Sequence, residues 1–536
     1  MSAQFRGVFQ GASFVLHHTL ENVLTELGTS ALVWNEGGTL FVHARAAVDV
    51  ATLPQAAELC HKYLKLKNGE IAVTNDPYSG GTVLSDFTLV MGVRLEGTGS
   101  EADVLLAKRI SLAPSLSPGL KKPSKLDDEG VRVPPTPLAG AGVLNRDLLQ
   151  AIATHPRAPR GLFDRVVHAV DDLKTAAARL QAIARDPGTI LRKSNLKTYL
   201  EDSTRAFEML MTRLPLGTVT VTSQFPSGEA LKLQLKITEE HLSFDFGGSE
   251  SSATLALTEL ATFGACFAAT ASIFDDHVPL NSGTFQFFQV SAPAKTILSA
   301  APPTGTYRGM TEGAAAVCAL ARQAIAKLTP QGKPMPVSGQ APSAQLLFED
   351  GRSLSLSVPA GAAATATGPG ASAVNAWDER RPFVEKLDEL ERDFPLLLVS
   401  IGARAGSGGN GKHRGGDGSV FGVEVLSPCE LRWIEPALGH RFEGKDGGRS
   451  GQPSAIEIVR ASPGKTESVS AREGASGLAA GDRVFVMSAG GGGFGEAHEP
   501  DDDKSGADER DDKSASKSGN KSTRKSAKNS SASSAD

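Results

Sequence analysis

The segment Asn75 to Asp86, NDPYSGGTVLSD, gathers two carboxylates, a phenol and several hydroxyls onto one short loop. Asn-Asp-Pro sets a tight turn, because Asn and Asp side chains bond nearby backbone and proline fixes φ. Gly80 and Gly81 let the backbone approach another group closely. Asp86 is the candidate base and Asp76 a second acid. Asn75, Tyr78, Gly80, Gly81 and Thr82 are expected to shape the pocket for a small-molecule substrate.

A second glycine-rich segment, GSGGNGKH at Gly406 to His413, fills the Gly-x-x-x-x-Gly-Lys part of a phosphate loop. Such a loop needs Ser or Thr after the lysine to hold magnesium, and then a helix whose N-terminus faces the phosphates. His413 stands at that position, and the RGGDGS that follows cannot propagate a helix. A phosphate-loop ATPase would bind nucleotide through Lys412, and this text argues against one. Zinc-protease, nucleophile-elbow and dinucleotide-binding signatures are absent. His17 and His18 are adjacent on a helix and point in different directions, so they do not chelate one ion. Cys60, Cys266, Cys318 and Cys429 lie far apart and read as small buried hydrophobes.

The elements that must carry these residues are legible from period and punctuation. Apolar spacing predicts a helix from Phe14 to Gly28, and Asn35 to Gly38 reads as a hairpin turn between two strands. Helical spacing returns at Ala51 to Leu66, and two strand-like runs then flank the Asn75 to Thr82 turn. From Lys108 to about Pro137 neither period holds, which predicts irregular chain. A long amphipathic helix ends at Pro187-Gly188. Alternation over Gly217 to Phe246 predicts an antiparallel meander, followed by core helices beginning near Ser251 and at Thr311. Beyond Phe394 glycine-rich stretches alternate with short strands, so backbone geometry more than side-chain packing is specified there. The reading is a mixed α/β (α+β) protein: a large multi-layer subunit with antiparallel and mixed sheets, Gly-rich loops and core helices. It spans 1–496, with subdivisions expected near 200 and near 390, and a Ser/Lys/Asp-rich tail at 497–536 is expected to be disordered.

Composition excludes more than it assigns. With 40% hydrophobic and 21% charged residues among 536, the chain is an ordinary soluble globular type. A net charge of −5, from 55 basic and 60 acidic side chains, gives no field toward nucleic acid or an anionic membrane. The N-terminus lacks a signal-peptide pattern and no run reaches the roughly 20 apolar residues of a membrane span, so the cytoplasm is expected.

The loop at Asn75 to Asp86 resembles the hydantoinase B/oxoprolinase family, whose members carry Asn-Asp-Pro-Tyr-x-Gly-Gly-Thr-His-x-x-Asp at this point. Further resemblances follow in the same order along the chain: EGVRVPP (Glu129 to Pro135), FDFGGS (Phe244 to Ser249) and VPLNSGTF (Val278 to Phe285). ERDFPLLL (Glu391 to Leu398), GSGGNGKHRGGDG (Gly406 to Gly418) and GGGGFG (Gly490 to Gly495) complete the series. The resemblance implies a large subunit that works in a hetero-oligomer with an ATP-using hydantoinase A-type partner, or fused to one. Its substrates would be cyclic amides such as 5-oxoproline and hydantoins, with carboxylases of small ketones as relatives. ATP would enter only through the partner. The family's His-x-x-Asp and a later histidine hold a divalent metal, which would polarise a carbonyl or activate water.

This chain departs from that pattern at the ligand positions. Val83 replaces the motif histidine, and Lys108 and Arg109 of AKRISLAPS lie near where a later imidazole would sit. Asp49 corresponds to a further family histidine, and Ala405 to an aspartate. Asp86 is the residual candidate ligand, and one carboxylate beside cations is a poor divalent site, so the family metal is expected not to be bound. Two readings stay open. Asp76, Asp86, Lys108 and Arg109 could form an altered site in which fixed cations stabilise an oxyanion. Alternatively, the surviving Gly, Asn and Pro residues preserve turns in a non-catalytic homologue that serves as an assembly or regulatory partner.

Overall fold

A computed structural model describes residues 11–497 apart from 98, 113–124, 141, 160, 187, 225–228, 253–255, 275–277, 329–342, 350–352, 374–389, 393, 435–442, 463–464 and 470–472. Segment 498–536, expected to be disordered, lies outside the described residues.

Helix α1 (Ala12–Leu27) buries Leu16, Leu20, Val23, Leu24 and Leu27 on one face and ends at Gly28, whose φ of 82° suits glycine. Strands β1 (Ser30–Trp34) and β2 (Gly38–His43) form the predicted hairpin, with Trp34 opposite Gly38. Helix α2 (Asp49–Leu64) follows, then β3 (Ile71–Thr74), β4 (Asp86–Val93) and β5 (Val104–Ser111). With β6 (Thr136–Gly140) and β7 (Val143–Leu144) they make a seven-stranded sheet, ordered β2-β1-β5-β4-β3-β6-β7 and antiparallel at every pairing. β1, β3 and β4 are buried almost without a break because helices cover both faces: α2 packs on β5 and β4, and the long helix Leu162–Arg185 packs on the same strands. Of the stretch expected to be irregular, residues 113–124 lie outside the described residues, and the described parts on either side carry regular elements. β5 runs on to Ser111 because cross-strand pairing with β4 overrides weak local periodicity, and a helical turn, α3 (Leu126–Glu129), precedes β6.

Helices α4 (Arg146–Ala153), α5 (Leu162–Arg185) and α6 (Lys193–Met211) lead to the meander β8 (Gly217–Gln224), β9 (Ala230–Ile237) and β10 (Leu242–Asp245). Strand β11 (Phe288–Ser291) joins β10 in parallel, which makes this sheet mixed. Core helices Glu259–Ala271 and Ala314–Leu328 pack on each other. All this material shares one apolar core, from Leu16 to Ile325.

A second apolar core, from Ala344 to Val486, lies between a four-stranded and a five-stranded sheet. Beside it the glycine-rich segments run next to one another with almost no space for side chains. A Cβ added to Gly491 would fall 1.8 Å from the Ala362 carbonyl oxygen, and one on Gly416 would fall 1.9 Å from that of Ala371. Backbone bonds such as Gly409 N–H to Gly491 O (2.8 Å) and the reciprocal pair between His413 and Phe494 (2.9 Å each) hold the segments together. Gly406 to His413 therefore belongs to this bundle. The chain continues past it into the strand Ser419–Val425 with no helix, in line with the sequence argument against a phosphate loop. Among the described residues no helix is long and apolar enough to cross a membrane.

Candidate functional site

The Asn75 to Asp86 loop joins β3 to β4 and is fixed largely by its own polar side chains. Asn75 is fully buried: its Nδ2 donates to the Leu84 and Val131 carbonyls at 2.7 and 2.8 Å, and its Oδ1 accepts from Val133 N–H at 2.7 Å. This ties the loop to the Glu129 to Pro135 segment. Asp76 caps the helical turn Pro77–Ser79, accepting from Tyr78 N–H at 3.1 Å and Ser79 Oγ at 2.9 Å, and pairs with Arg132 Nη2 at 2.8 Å. Gly80 adopts φ 85°, and a Cβ there would lie 2.3 Å from the Ala56 nitrogen, so the loop rests directly on the backbone of α2. A Cβ on Gly81 would lie 2.6 Å from the Asn75 carbonyl oxygen.

Asp86 begins β4, and antiparallel register sets it opposite Ser111, with Thr88 opposite Arg109. Directly opposed residues share a sheet face, so all four lie beneath α2. Thr82 Oγ1 donates to Asp86 Oδ2 at 2.6 Å. Burial raises the half-buried Asp86 carboxyl above the ordinary range, against the pull of the Thr82 hydroxyl and the Arg109 charge. Arg109 is 4% exposed. It donates from Nη1 to Asp49 Oδ1 at 2.6 Å and to Thr52 Oγ1 at 3.0 Å, from Nε to Thr88 Oγ1 at 3.0 Å, and from Nη2 to the Gly80 carbonyl at 2.7 Å. Asp49, in the first turn of α2, also accepts from Ala46 N–H at 3.0 Å, and a carboxylate there suits the helix dipole.

The expected four-residue cluster is not assembled. Lys108 precedes Arg109 on a strand and so faces the other side of the sheet, where its ammonium meets the Leu27 carbonyl at 2.6 Å and Asp172 at 2.9 Å. Asp76 is engaged with Arg132. Four of the five Arg109 N–H donors have protein acceptors, which is poor provision for an oxyanion.

Sequence reading missed Glu129. It is 4% exposed, accepts from Tyr307 N–H at 3.0 Å through Oε1, and its Oε2 has no hydrogen-bond partner. Burial pushes its carboxyl up to about 7. Its charge, with that of Asp76, adds to the burial that pushes the Tyr78 phenol up to about 12, while Tyr78 donates to the Thr304 carbonyl at 2.7 Å. EGVRVPP was a signal for the segment, though not for the buried acid.

The divalent ion implied by the family resemblance does not fit these donors. Val83 is a buried aliphatic, Asp49 Oδ1 is bonded to a guanidinium, and Asp86 Oδ2 to a hydroxyl. Among the described residues no group of three or more His, Cys, Asp or Glu is arranged to hold a metal ion.

Comparison with known proteins agrees with this architecture. The uncharacterised protein MJ0963 of Methanocaldococcus jannaschii is 22% identical over 509 residues, covering 92% of this chain and 88% of its own length. The 5-oxoprolinase 1 of Arabidopsis thaliana is 22% identical over 540 residues, 92% of this chain but 41% of the relative, so the chain spans about two fifths of that enzyme. The crystal structure of ATP-dependent caprolactamase from Pseudomonas jessenii superposes with a TM-score of 0.73 at 17% identity, over 92% of this chain and 90% of that one. The Hydantoinase B/oxoprolinase family model matches residues 22–497, and the chain belongs to that family.

Proposed function

We propose that this chain is a hydantoinase B-type subunit that works in the cytoplasm, in a hetero-oligomer with an ATP-using hydantoinase A-type partner, on the hydrolysis of cyclic amides such as 5-oxoproline. The observation that carries the reading is likeness to a 5-oxoprolinase along 92% of the chain. The similar fold of a caprolactamase, whose name is that of an enzyme of cyclic amides, supports it. In such a hydrolysis water adds to the ring carbonyl and the nitrogen leaves with a proton. Asp86, whose pKa is raised by burial, is this chain's candidate to take the proton from water. The Asn75 to Thr82 loop would line the pocket.

A second reading, a non-catalytic homologue that assembles or regulates the partner, is favoured by the occupied donors of Arg109. Co-purification with the partner and assay of 5-oxoproline-dependent ATP turnover separates the two. The first reading expects turnover that needs both chains and falls on the order of a hundredfold in Asp86→Asn. A complex whose turnover ignores that substitution supports the second.

A further inference from the structure

We infer that the Arg109 guanidinium is the resident cation of the Asp49–Asp86 site, supplying the charge balance and cross-linking that a divalent ion would otherwise give, so that the site excludes metal. The inference concerns what fills the site and stands whether or not the chain takes part in the hydrolysis proposed above.

The first support is charge. Asp49 and Asp86 both act on this region, and the guanidinium lies against Asp49 with 1% and 7% of the two side chains exposed. Pairing is what makes two such burials tolerable. A divalent ion brought to the same carboxylates would face a fixed positive group a few ångströms away, with little solvent to screen it.

The second support is mechanical. Through Asp49 and Thr52 the guanidinium holds the start of α2, through Thr88 it holds β4, and through Gly80 O it holds the motif loop. One group thus joins helix, sheet and loop, as several ligands around an ion would. For metal to enter, Arg109 must leave a buried position and abandon all four bonds. The third support is the donor set: the Val83 side chain offers no lone pair three residues before Asp86, where the family resemblance implies a histidine.

The test uses the full chain and reads metal directly. Protein stripped with EDTA is loaded with Mn²⁺ or Zn²⁺, desalted and assayed for metal, with thermal melting followed in parallel. The expected result is far less than one ion per chain, and one melting temperature whether ion or EDTA is present. Retention of about one ion per chain, lost in Asp86→Asn, overturns the inference. In the converse arm, Val83→His with Arg109→His removes the guanidinium and supplies two imidazoles. That variant is expected to retain about one ion per chain and to melt higher with Zn²⁺ than with EDTA. If it folds and stays empty, the guanidinium is not what keeps metal out, and the inference fails. Val83→His alone, with Arg109 in place, is expected to stay empty, and uptake by it would also overturn the inference. Should the double variant not fold, the wild-type and single-variant arms still decide the matter.

Discussion

Arg109 Nη1 lies 2.6 Å from Asp49 Oδ1, and this pair bridges the interior strand β5 to the first turn of α2. Both side chains are shut off from solvent, so neither charge is hydrated once the other is removed. Arg109→Met should therefore destabilise the protein by about 3–5 kcal/mol, since it strands a buried carboxylate. Asp49→Asn should cost a similar amount, and the double variant distinctly less than the sum. Urea unfolding of the four proteins checks this, and simple additivity would mean that the two side chains do not interact.

Glu129 makes stability depend on pH in a particular direction. Its folded value of about 7 lies above the ordinary 4.5, so the folded state holds a proton that the unfolded state releases. The contribution is full below about 4.5 and is lost as pH rises through about 7. The loss is on the order of 3 kcal/mol. Glu129→Gln should flatten the stability profile across that window and leave the protein more stable at neutral pH. An unchanged slope would show that Glu129 titrates normally.

Two glycines with nearly the same φ should respond differently to alanine. Gly69 has φ 83° and nothing within 4 Å of an added Cβ, whereas at Gly80, with φ 85°, the methyl would meet the Ala56 nitrogen at 2.3 Å. Gly69→Ala should cost about 1 kcal/mol, the conformational strain alone. Gly80→Ala must also lift the loop off α2 and should exceed 3 kcal/mol or so. Equal losses in denaturant unfolding would remove close packing as the reason for the second glycine.

Lys108 and Asp86 should separate in function. Lys108→Met alters the opposite face of the sheet and should leave partner-dependent turnover within about twofold. Asp86→Asn, which keeps the shape of the side chain, should reduce it far more. A large loss for Lys108→Met would mean that its contacts with Leu27 and Asp172 transmit to the loop side.

Much of this arrangement is readable from text, and what escapes is long-range. The helix ending at Gly28, the hairpin at Asn35 to Gly38 and the meander follow from local period and turn chemistry. The split between Lys108 and Arg109 was also within reach, because neighbours on a strand face opposite ways. It required knowing that the run containing them is a strand, which its pairing with β4 decides more than its own composition. That Asp49 meets Arg109 depends on α2 crossing a strand 60 residues away, and no local pattern encodes it. Glu129 is buried by the chain around Gly305 and Tyr307, and its acid lies in a run, Leu126 to Glu129, that reads as solvated.

The bundle of glycine segments beside the second core inverts the usual logic of substitution. In an ordinary core, damage comes from taking atoms away, and alanine is the harsh replacement. Where carbonyl oxygens already stand about 2 Å from an imagined methyl at Gly408, Gly415, Gly451 and Gly490, damage comes from adding any atom at all. In a saturation library these positions should form a block where alanine scores nearly as badly as tryptophan, a fingerprint that would mark the bundle without any coordinates.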